Sequence, residues 1–376
     1  MGGARGGAVL RRRVVCNCGG DFAAIVDVGG DSPHHNLVRR VLGGLRVVFC
    51  SACSEMETID IALASDAAYF PGLLVTAVSL ARAASRDVQL RFNVLDGGIG
   101  VENERLLRER LSSGHPHTEL RMFPVDDARF QSFRAWNGTG RMTYARLILP
   151  ELLKDADFVV YCDVDFLWMA DVAELWELRD ESVSVRARQE ANAATLAREE
   201  RWFAANGIRF DSSKYVCSGL MIMNLRLFRE RGISGALLDF LAAHGDVQYV
   251  DQTAANAVIS DIGILPGRWG AFAWQYDAGA ALEGCAVHFA GSAPWKHGWW
   301  TQALTDAHEA WYRLYGDLVG LDWRAARRRF LPWRQIAARR ATWIIVRHAA
   351  LRIPFLLLLR LLRRGCYIPE LKEMAK

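Results

Sequence analysis

The segment Phe158-Val159-Val160-Tyr161-Cys162-Asp163-Val164-Asp165 carries a run of apolar or weakly polar side chains into two carboxylates at an i, i+2 spacing. Such a run suits a strand covered on both faces, as in a parallel sheet. Side chains alternate along a strand, so Asp163 and Asp165 are predicted to point the same way. Open parallel sheets bind ligands beyond the carboxyl ends of their strands, which is where the pair falls. An isolated D-x-D triplet is as readily a solvated turn, and the surrounding chain has to decide between the two.

From Ile59 onward strand-like and helix-like segments alternate at short intervals. That pattern predicts an α/β fold with a mainly parallel central sheet and helices on both faces. Ile59–Ala64 reads as a strand ending at Ser65-Asp66, and Pro71 opens a helix reaching Ala84, with its missing N–H harmless in the first turn. Strands are predicted over Val88–Leu95 and Leu120–Val125, separated by a helix over Val101–Leu111. Arg141–Leu153 reads as helical stretches interrupted at Pro150. Tyr215–Met223 is a second strongly apolar strand, closed by Asn224; Ile233–Ala243 and Asp251–Ile259 read as helices, and Cys285–Phe289 as a short strand before a Gly-rich loop. The predicted strand ends gather Asp66, Asp163, Asp165 and His288. Two carboxylates and one imidazole suit a divalent cation of intermediate hardness, because oxygen ligands fit Mg²⁺ and Mn²⁺ while a nitrogen tilts the set toward Mn²⁺.

With 51% hydrophobic and 23% charged residues the chain is globular, and 376 residues accommodate one large α/β domain with appendages. A net charge of +4 hides a division. Residues 324–376 carry twelve arginines and two lysines against two glutamates, residues 1–55 seven arginines against four carboxylates, and residues 56–323 are therefore acidic. The chain divides accordingly into a poorly patterned extension (1–55), a catalytic body (56–323) and a basic helical tail (324–376). The extension is rich in Gly and Arg and precedes Met56, as an upstream misassigned start would leave it. Its apolar runs are short and broken, unlike a secretory leader.

A basic tail calls for an anionic partner, and the apolar blocks Trp343–Val346 and Phe355–Leu359 favour a membrane surface over nucleic acid. Crossing the bilayer would put Arg347, Arg352 and Arg360 in or near hydrocarbon at about 2.5–3.5 kcal/mol each. Lying flat avoids this: after Pro354 a helix would gather Arg352, Arg360 and Arg363 opposite Phe355, Leu358, Leu361 and Leu362. The alternative is a C-terminal helix pair docked on the body. Cys162, Cys217 and Cys285 lie in apolar runs, as reduced core cysteines of a cytosolic protein do, whereas Cys16, Cys18, Cys50 and Cys53 match common zinc frameworks poorly. The expected location is cytoplasmic, peripheral on the inner face of the cytoplasmic membrane.

Several motifs agree in order with one family. Ile61–Asp66 with Tyr69, Leu90–Asp96, Thr143–Leu147, Asp163-Val164-Asp165, Ser218-Gly219 with Asn224-Leu225, Asp251-Gln252, and His288–Gly291 with Pro294-Trp295 resemble the retaining glycosyltransferases of family 8, which have the GT-A fold. The likeness runs from Ile59 to about Tyr315 and is strongest to the bacterial lipopolysaccharide α-galactosyltransferases. It implies that Asp163, Asp165 and His288 hold Mn²⁺, with Mg²⁺ as the alternative, against the diphosphate of a UDP-sugar. It further implies donor contacts at Ala64, Asp66, Tyr69, Arg146, Val164, Gly219, Gly291 and Lys296. Asp251 would bind sugar hydroxyls, and Gln252 would lie near the anomeric carbon opposite the leaving group. The implied activity is transfer of a hexose from a UDP-sugar to a glycan or glycolipid acceptor, in lipopolysaccharide or cell-surface glycan synthesis.

This sequence departs from the family at several positions. The family lysine that precedes Pro-Trp is replaced by Ala293, with Lys296 following instead; Cys217 stands where Asn is usual, and Arg186 and Arg188 where an acidic residue is common. Two other functions share the sequence features: nucleotidyl transfer on a similar sheet, for which the Gly-rich loop after the first strand is absent, and a membrane-binding scaffold with a decayed transferase body.

Overall fold

The computed structural model describes residues 38–42, 45–49, 56–135, 140–273, 282–291, 293–296 and 306–330. The chain forms two compact units, Met1–Met56 and Glu57–Lys376. In the first, β1 (Val38–Leu42) pairs antiparallel with β2 (Leu45–Phe49). The sequence reading of this extension had no place for a strand pair. Its signal is Gly43-Gly44 between two Val- and Leu-rich runs.

The second unit is built on β3 (Glu57–Ser65), α1 (Phe70–Ala83), β4 (Val88–Asp96), α2 (Val101–Gly114) and β5 (Thr118–Pro124). It continues through α3 (Leu149–Leu152), β6 (Phe158–Cys162), β7 (Phe166–Trp168), α4 (Val172–Trp176), β8 (Val185–Gln189), α5 (Ala193–Ala205) and β9 (Val216–Asn224). Last come α6 (Leu225–Arg231), α7 (Ile233–Ala243), α8 (Val250–Val258), β10 (Ile262–Leu265), β11 (Trp269–Phe272), β12 (Ala286–His288), α9 (Asp306–Val319) and α10 (Trp323–Phe330).

Seven strands form one sheet in the order β10-β8-β9-β6-β3-β4-β5. The pairs around β3, β4, β5 and β6 are parallel, as is β10 with β8, while β9 runs antiparallel to both β6 and β8. Alternation supplies two cores. Ile59, Ile61, Leu63, Val160, Cys162 and Ile222 face the core that contains α1 and α9 residues; Ala62, Val159, Tyr161, Met221 and Met223 face the one holding α5, α7 and α8 residues. A three-stranded sheet, β11-β12-β7, stands beside it. Because the chain runs β3, β4, β5 outward and then returns to place β6 on the other side of β3, a topological switch point opens at the carboxyl ends of β3 and β6.

One expectation needs correction. The D-x-D pair does not lie in the strand: β6 ends at Cys162, residues 163–165 turn through a bend, and Phe166 starts a strand of the small sheet. The helical stretches expected over Arg141–Leu153 are a 3-10 helix, Met142–Ile148, and then α3, with Pro150 in the first turn of α3, where it removes no needed donor. Eight elements of this unit escaped the sequence reading: β7, α4, β8, α5, α6, β10, β11 and α9.

Residues 323–330, counted mostly with the basic tail, dock on the body. Phe330 packs on Trp311 and Tyr315 of α9 with ring centroids at 5.8 and 5.0 Å, and Ala326 is fully buried. That is the docked-helix alternative for this part. The amphipathic stretch after Pro354 and the four N-terminal cysteines lie outside the described residues. Among the described residues no helix is long and apolar enough to cross a membrane.

Candidate functional site

The switch point opens into a cleft of about 840 Å³ lined by Asp66, Tyr69, Arg146, Asp163, Asp165, Glu190, Cys217, Gly219, Asp251, Gln252, His288, Gly291 and Lys296. Ala64 and Val164 also line it, so every residue selected from the sequence reaches this one cleft.

Its floor is the bend at 163–165. Thr76, fully buried on α1, holds the bend from beneath: its hydroxyl lies 2.7 Å from the Val164 carbonyl and accepts from the Phe166 N–H. Ser79, one turn on, accepts from the Trp168 N–H. Gly72 allows the bend to approach, since a Cβ there would lie 2.6 Å from the Val164 carbonyl oxygen and 2.3 Å from the Trp295 ring. Trp295 is buried between Tyr69 and Trp311 and serves as core.

One oxygen of each aspartate and one imidazole nitrogen of His288 fall within 4.8 Å of one another. Asp163 Oδ1 accepts from Arg146 Nη2 at 2.6 Å and from the Tyr161 hydroxyl at 2.8 Å, which leaves Oδ2 for the cleft. Asp165 Oδ1 lies 3.2 Å from His288 Nε2. It is buried without a hydrogen bond. An orphaned carboxylate oxygen, a second carboxylate oxygen and an imidazole nitrogen at such spacing fit a divalent cation. Gly219 keeps the space clear: a Cβ there would sit 2.6 Å from His288 Cε1 and 3.2 Å from Asp163 Oδ2.

The electrostatics follow from crowding. Burial pushes Asp163 up, to about 6, with Arg146 opposing and Asp165 adding to the rise. Burial also works on Asp165, but the neighbouring His288 outweighs it and holds the group below the usual carboxylate range. Burial disfavours the His288 imidazolium; Asp165 reverses this and raises it well above the usual histidine value. Asp163 and Asp165 still crowd one buried place, and Asp165 adds to the rise of Asp163; a bound cation would relieve that crowding.

Arg146 lies in the wall of the cleft. It is buried, stacks on Tyr161 at 4.2 Å, and donates to the Thr143 carbonyl, the Ser218 carbonyl, Thr143 Oγ1 and Asp163. Asp251 Oδ2 stands 3.2 Å from it, and Thr143 donates to Asp251 Oδ1 at 2.7 Å. These contacts make Arg146 a pin between Asp163 and Asp251.

At one end of the cleft Asp66 Oδ1 accepts from the Ala68 and Tyr69 N–H groups, a local turn. Asp96 does the same with Gly98 and Ile99. Lys296 donates to the Tyr69 hydroxyl and lies 4.1 Å from that ring's centroid. Burial lowers its pKa, opposed by Asp165 and Asp66. Gly291 has φ +68°, which a side chain would strain.

At the other end Val250, at the start of α8, has φ +43°, a strained conformation costing about 1–3 kcal/mol. It delivers Asp251 and Gln252 into the cleft. Gln252 Oε1 accepts from the Ser218 N–H at 3.2 Å, and its amide lies 3.5 Å from Glu190 Oε2. Glu190, buried, accepts from the Ala191 and Asn192 N–H groups through its other oxygen. Sequence reasoning missed it, together with Thr76. Arg186 and Arg188, weighed instead, turn to Asp180 and to the Gly270 carbonyl.

This strand order, with a bent acidic loop at the switch point, is the GT-A glycosyltransferase fold, and solved structures with that fold match the chain. The galactosyltransferase LgtC, solved with donor and acceptor sugar analogs, superposes with a TM-score of 0.59 at 24% identity, covering 71% of this chain and all of that one. The bifunctional WbbM glycosyltransferase gives 0.58 at 20% identity, over 73% of this chain and 52% of that one. The chain belongs to glycosyl transferase family 8, whose family model matches residues 60–297. General stress protein A of Bacillus subtilis is 28% identical over 190 residues, 49% of this chain and 63% of that relative. The chain spans less than two thirds of the length of the curated relatives it matches.

Proposed function

We propose that the chain is a retaining glycosyltransferase that moves a hexose from a UDP-sugar to a glycan or glycolipid acceptor, with Mn²⁺ held by Asp163, Asp165 and His288. The observation that carries the reading is the orphaned oxygen of Asp165 within a three-residue group at the sheet's switch point. When bound, the cation would neutralise charge on a diphosphate leaving group without proton transfer.

The protein's own residues divide the remaining work. Asp66, Tyr69, Ala64 and Val164 form the end suited to a nucleoside, and the Gly291 backbone and Lys296 the part suited to a diphosphate. Gly219 clears the metal position. Asp251 and Gln252 face the sugar, where the Gln252 amide can orient or stabilise a cationic sugar without attacking it. Arg146 enters this scheme through Asp163 and Asp251, which it holds in place. Lipopolysaccharide or other cell-surface glycan synthesis is the setting this activity suits.

The test is a screen of UDP-hexoses with purified full-length protein, with and without Mn²⁺. Turnover or hydrolysis that needs Mn²⁺ and disappears in Asp163→Ala/Asp165→Ala supports the reading. Unchanged activity in that variant sinks it, and consumption of nucleoside triphosphate with pyrophosphate release would favour nucleotidyl transfer instead.

The basic tail supports a second element: residence on an anionic membrane surface at the cytoplasmic face. Twelve arginines in residues 324–376 motivate it, and Arg313, Arg324 and Arg327 already gather around the Trp323 ring at 4.7–5.1 Å. Cosedimentation with phosphatidylserine vesicles that vanishes on truncation after Phe330 would support it; equal binding to neutral vesicles would refute it.

A further inference from the structure

Cys217 stands behind His288. Its sulfur lies 3.9 Å from Nδ1, while Nε2 on the far side of the ring is 3.2 Å from Asp165 Oδ1. Both residues are buried.

The imidazole is held between two aromatic faces. Phe166 stacks on it with centroids 4.3 Å apart and planes 14° apart, and Phe272 lies at 5.7 Å and 27°. Such a sandwich fixes the plane of the ring but not its direction. A half-turn about the Cβ–Cγ axis leaves the stacking unchanged, exchanges Nδ1 with Cδ2 and Nε2 with Cε1, and presents a carbon to the two aspartates. Hydrogen-bond partners must choose between the two orientations.

Asp165 helps that choice only while Nε2 carries a proton. Once Nε2 gives its lone pair to a cation, that attraction is gone, and the ring nitrogen left to hold the orientation is Nδ1. Histidines that ligate metals donate this second N–H to a carboxylate, carbonyl or water, and losing that partner typically costs 10–100-fold in metal affinity. Among the described residues the partner given to Nδ1 is Cys217.

We infer that Cys217 is a positioning residue for the metal site: its sulfur accepts from His288 Nδ1–H and so keeps Nε2 turned toward Asp163 and Asp165. Sulfur is a weak acceptor, so the hold is softer than an oxygen would give. Cys217 does not serve as a ligand itself. Its sulfur faces the opposite edge of the ring and is outside the group formed by the two aspartates and the imidazole. The inference rests on the metal-site reading above for its consequence, but the contact between Cys217 Sγ and His288 Nδ1 is present without metal.

Two measurements on the full chain test it. In the first, proton NMR of the metal-free protein follows the His288 Nδ1–H. It should exchange slowly in the wild type and in Cys217→Ser, whose hydroxyl can accept, and exchange fast in Cys217→Ala. In the second, Mn²⁺ binding in the presence of UDP is read by electron paramagnetic resonance of the free ion. Cys217→Ala should bind about tenfold more weakly or worse, with Cys217→Ser recovering part of the loss. Cys217→Ala within twofold of the wild type, with an unchanged Nδ1–H signal, overturns the inference. So does a sulfur-to-metal charge-transfer band in the Co²⁺-loaded protein, which would put the thiolate on the metal. A wild type that binds no Mn²⁺ would defeat the metal reading alone, since the NMR comparison still decides the role of Cys217. If the alanine variant fails to fold, Cys217→Ser against the wild type carries both measurements, and loss of the Nδ1–H signal in that folded variant overturns the inference.

Discussion

Arg146 Nη2 lies 2.6 Å from Asp163 Oδ1, and Arg146 Nη1 lies 3.2 Å from Asp251 Oδ2, so one buried guanidinium joins the floor of the cleft to its far wall. Burial works against the charge of Arg146, but the two carboxylates outweigh it and raise its pKa above the usual arginine value. The pair is not a surface ornament, because arginine and Asp251 are each almost wholly buried. Removing one partner of such a set strands the others.

Arg146→Met should therefore cost about 3–5 kcal/mol of stability, read as a shift of the urea midpoint, and should weaken Mn²⁺ binding as Asp163 loses its orientation. A residue that merely touched the donor would raise the KM for the UDP-sugar and leave the midpoint in place.

Gly219→Ala separates folding from binding. The new Cβ would meet His288 Cε1 at 2.6 Å and Nε2 at 3.1 Å, so the ring edge must move away from the aspartates. Because the displaced atoms belong to the proposed ligand set, Mn²⁺ affinity measured by calorimetry with UDP should fall by about tenfold or more, with far-UV circular dichroism unchanged. Unchanged affinity would remove Gly219 from the site.

Five of the seven strands of the large sheet, β3, β4, β5, β6 and β9, were legible because they are apolar and punctuated. Val216–Asn224 is buried at every position, and Asn224 both ends it and caps α6 by accepting from the Leu227 N–H. The site was legible in its ligands and less so in their cause. Alternation predicted that Asp163 and Asp165 share a side; a bend held by Thr76, eighty-eight residues earlier than Val164, is what turns them together. Contacts of that separation leave no local pattern. Glu190 was hidden for a related reason, since it ends the mixed run Arg186-Ala187-Arg188-Gln189, whose burial comes from packing against β9 and β10 and not from its own composition. Arg146 was legible only through the family resemblance; that it also joins Asp163 to Asp251 shows only in its buried contacts.

Glu199 predicts a pH effect outside the site. It is fully buried on α5, and burial raises its pKa although the Tyr215 hydroxyl donates to it at 2.7 Å. A carboxyl whose folded pKa is raised binds its proton more tightly in the folded state, so stability falls as pH rises through the unfolded value toward the folded one. Glu199→Gln keeps the acceptor for Tyr215 and removes the charge. Its melting temperature should exceed that of the wild type at pH 8, with the advantage shrinking toward pH 4; a difference independent of pH would show that the carboxyl is ionised at no cost.

The last turn described, at Phe330, is packed on the catalytic body. Phe330 is buried against Trp311 and Tyr315, and Tyr315 also stacks on Trp311 with planes 6° apart, so the side chain closes a row of rings over α9. Phe330→Ala should cost about 3–5 kcal/mol, as large-to-small changes at buried aromatics do, and should lower the melting temperature of the whole catalytic unit in one transition. Arg328 and Arg329, on the exposed part of the same helix, carry charge and little packing. Replacing both with glutamate should change stability by no more than about 0.5 kcal/mol each while weakening attachment to anionic vesicles. The opposite pattern, a stable Phe330→Ala and an unfolded double glutamate variant, would mean that α10 is held by its charges and belongs to the tail.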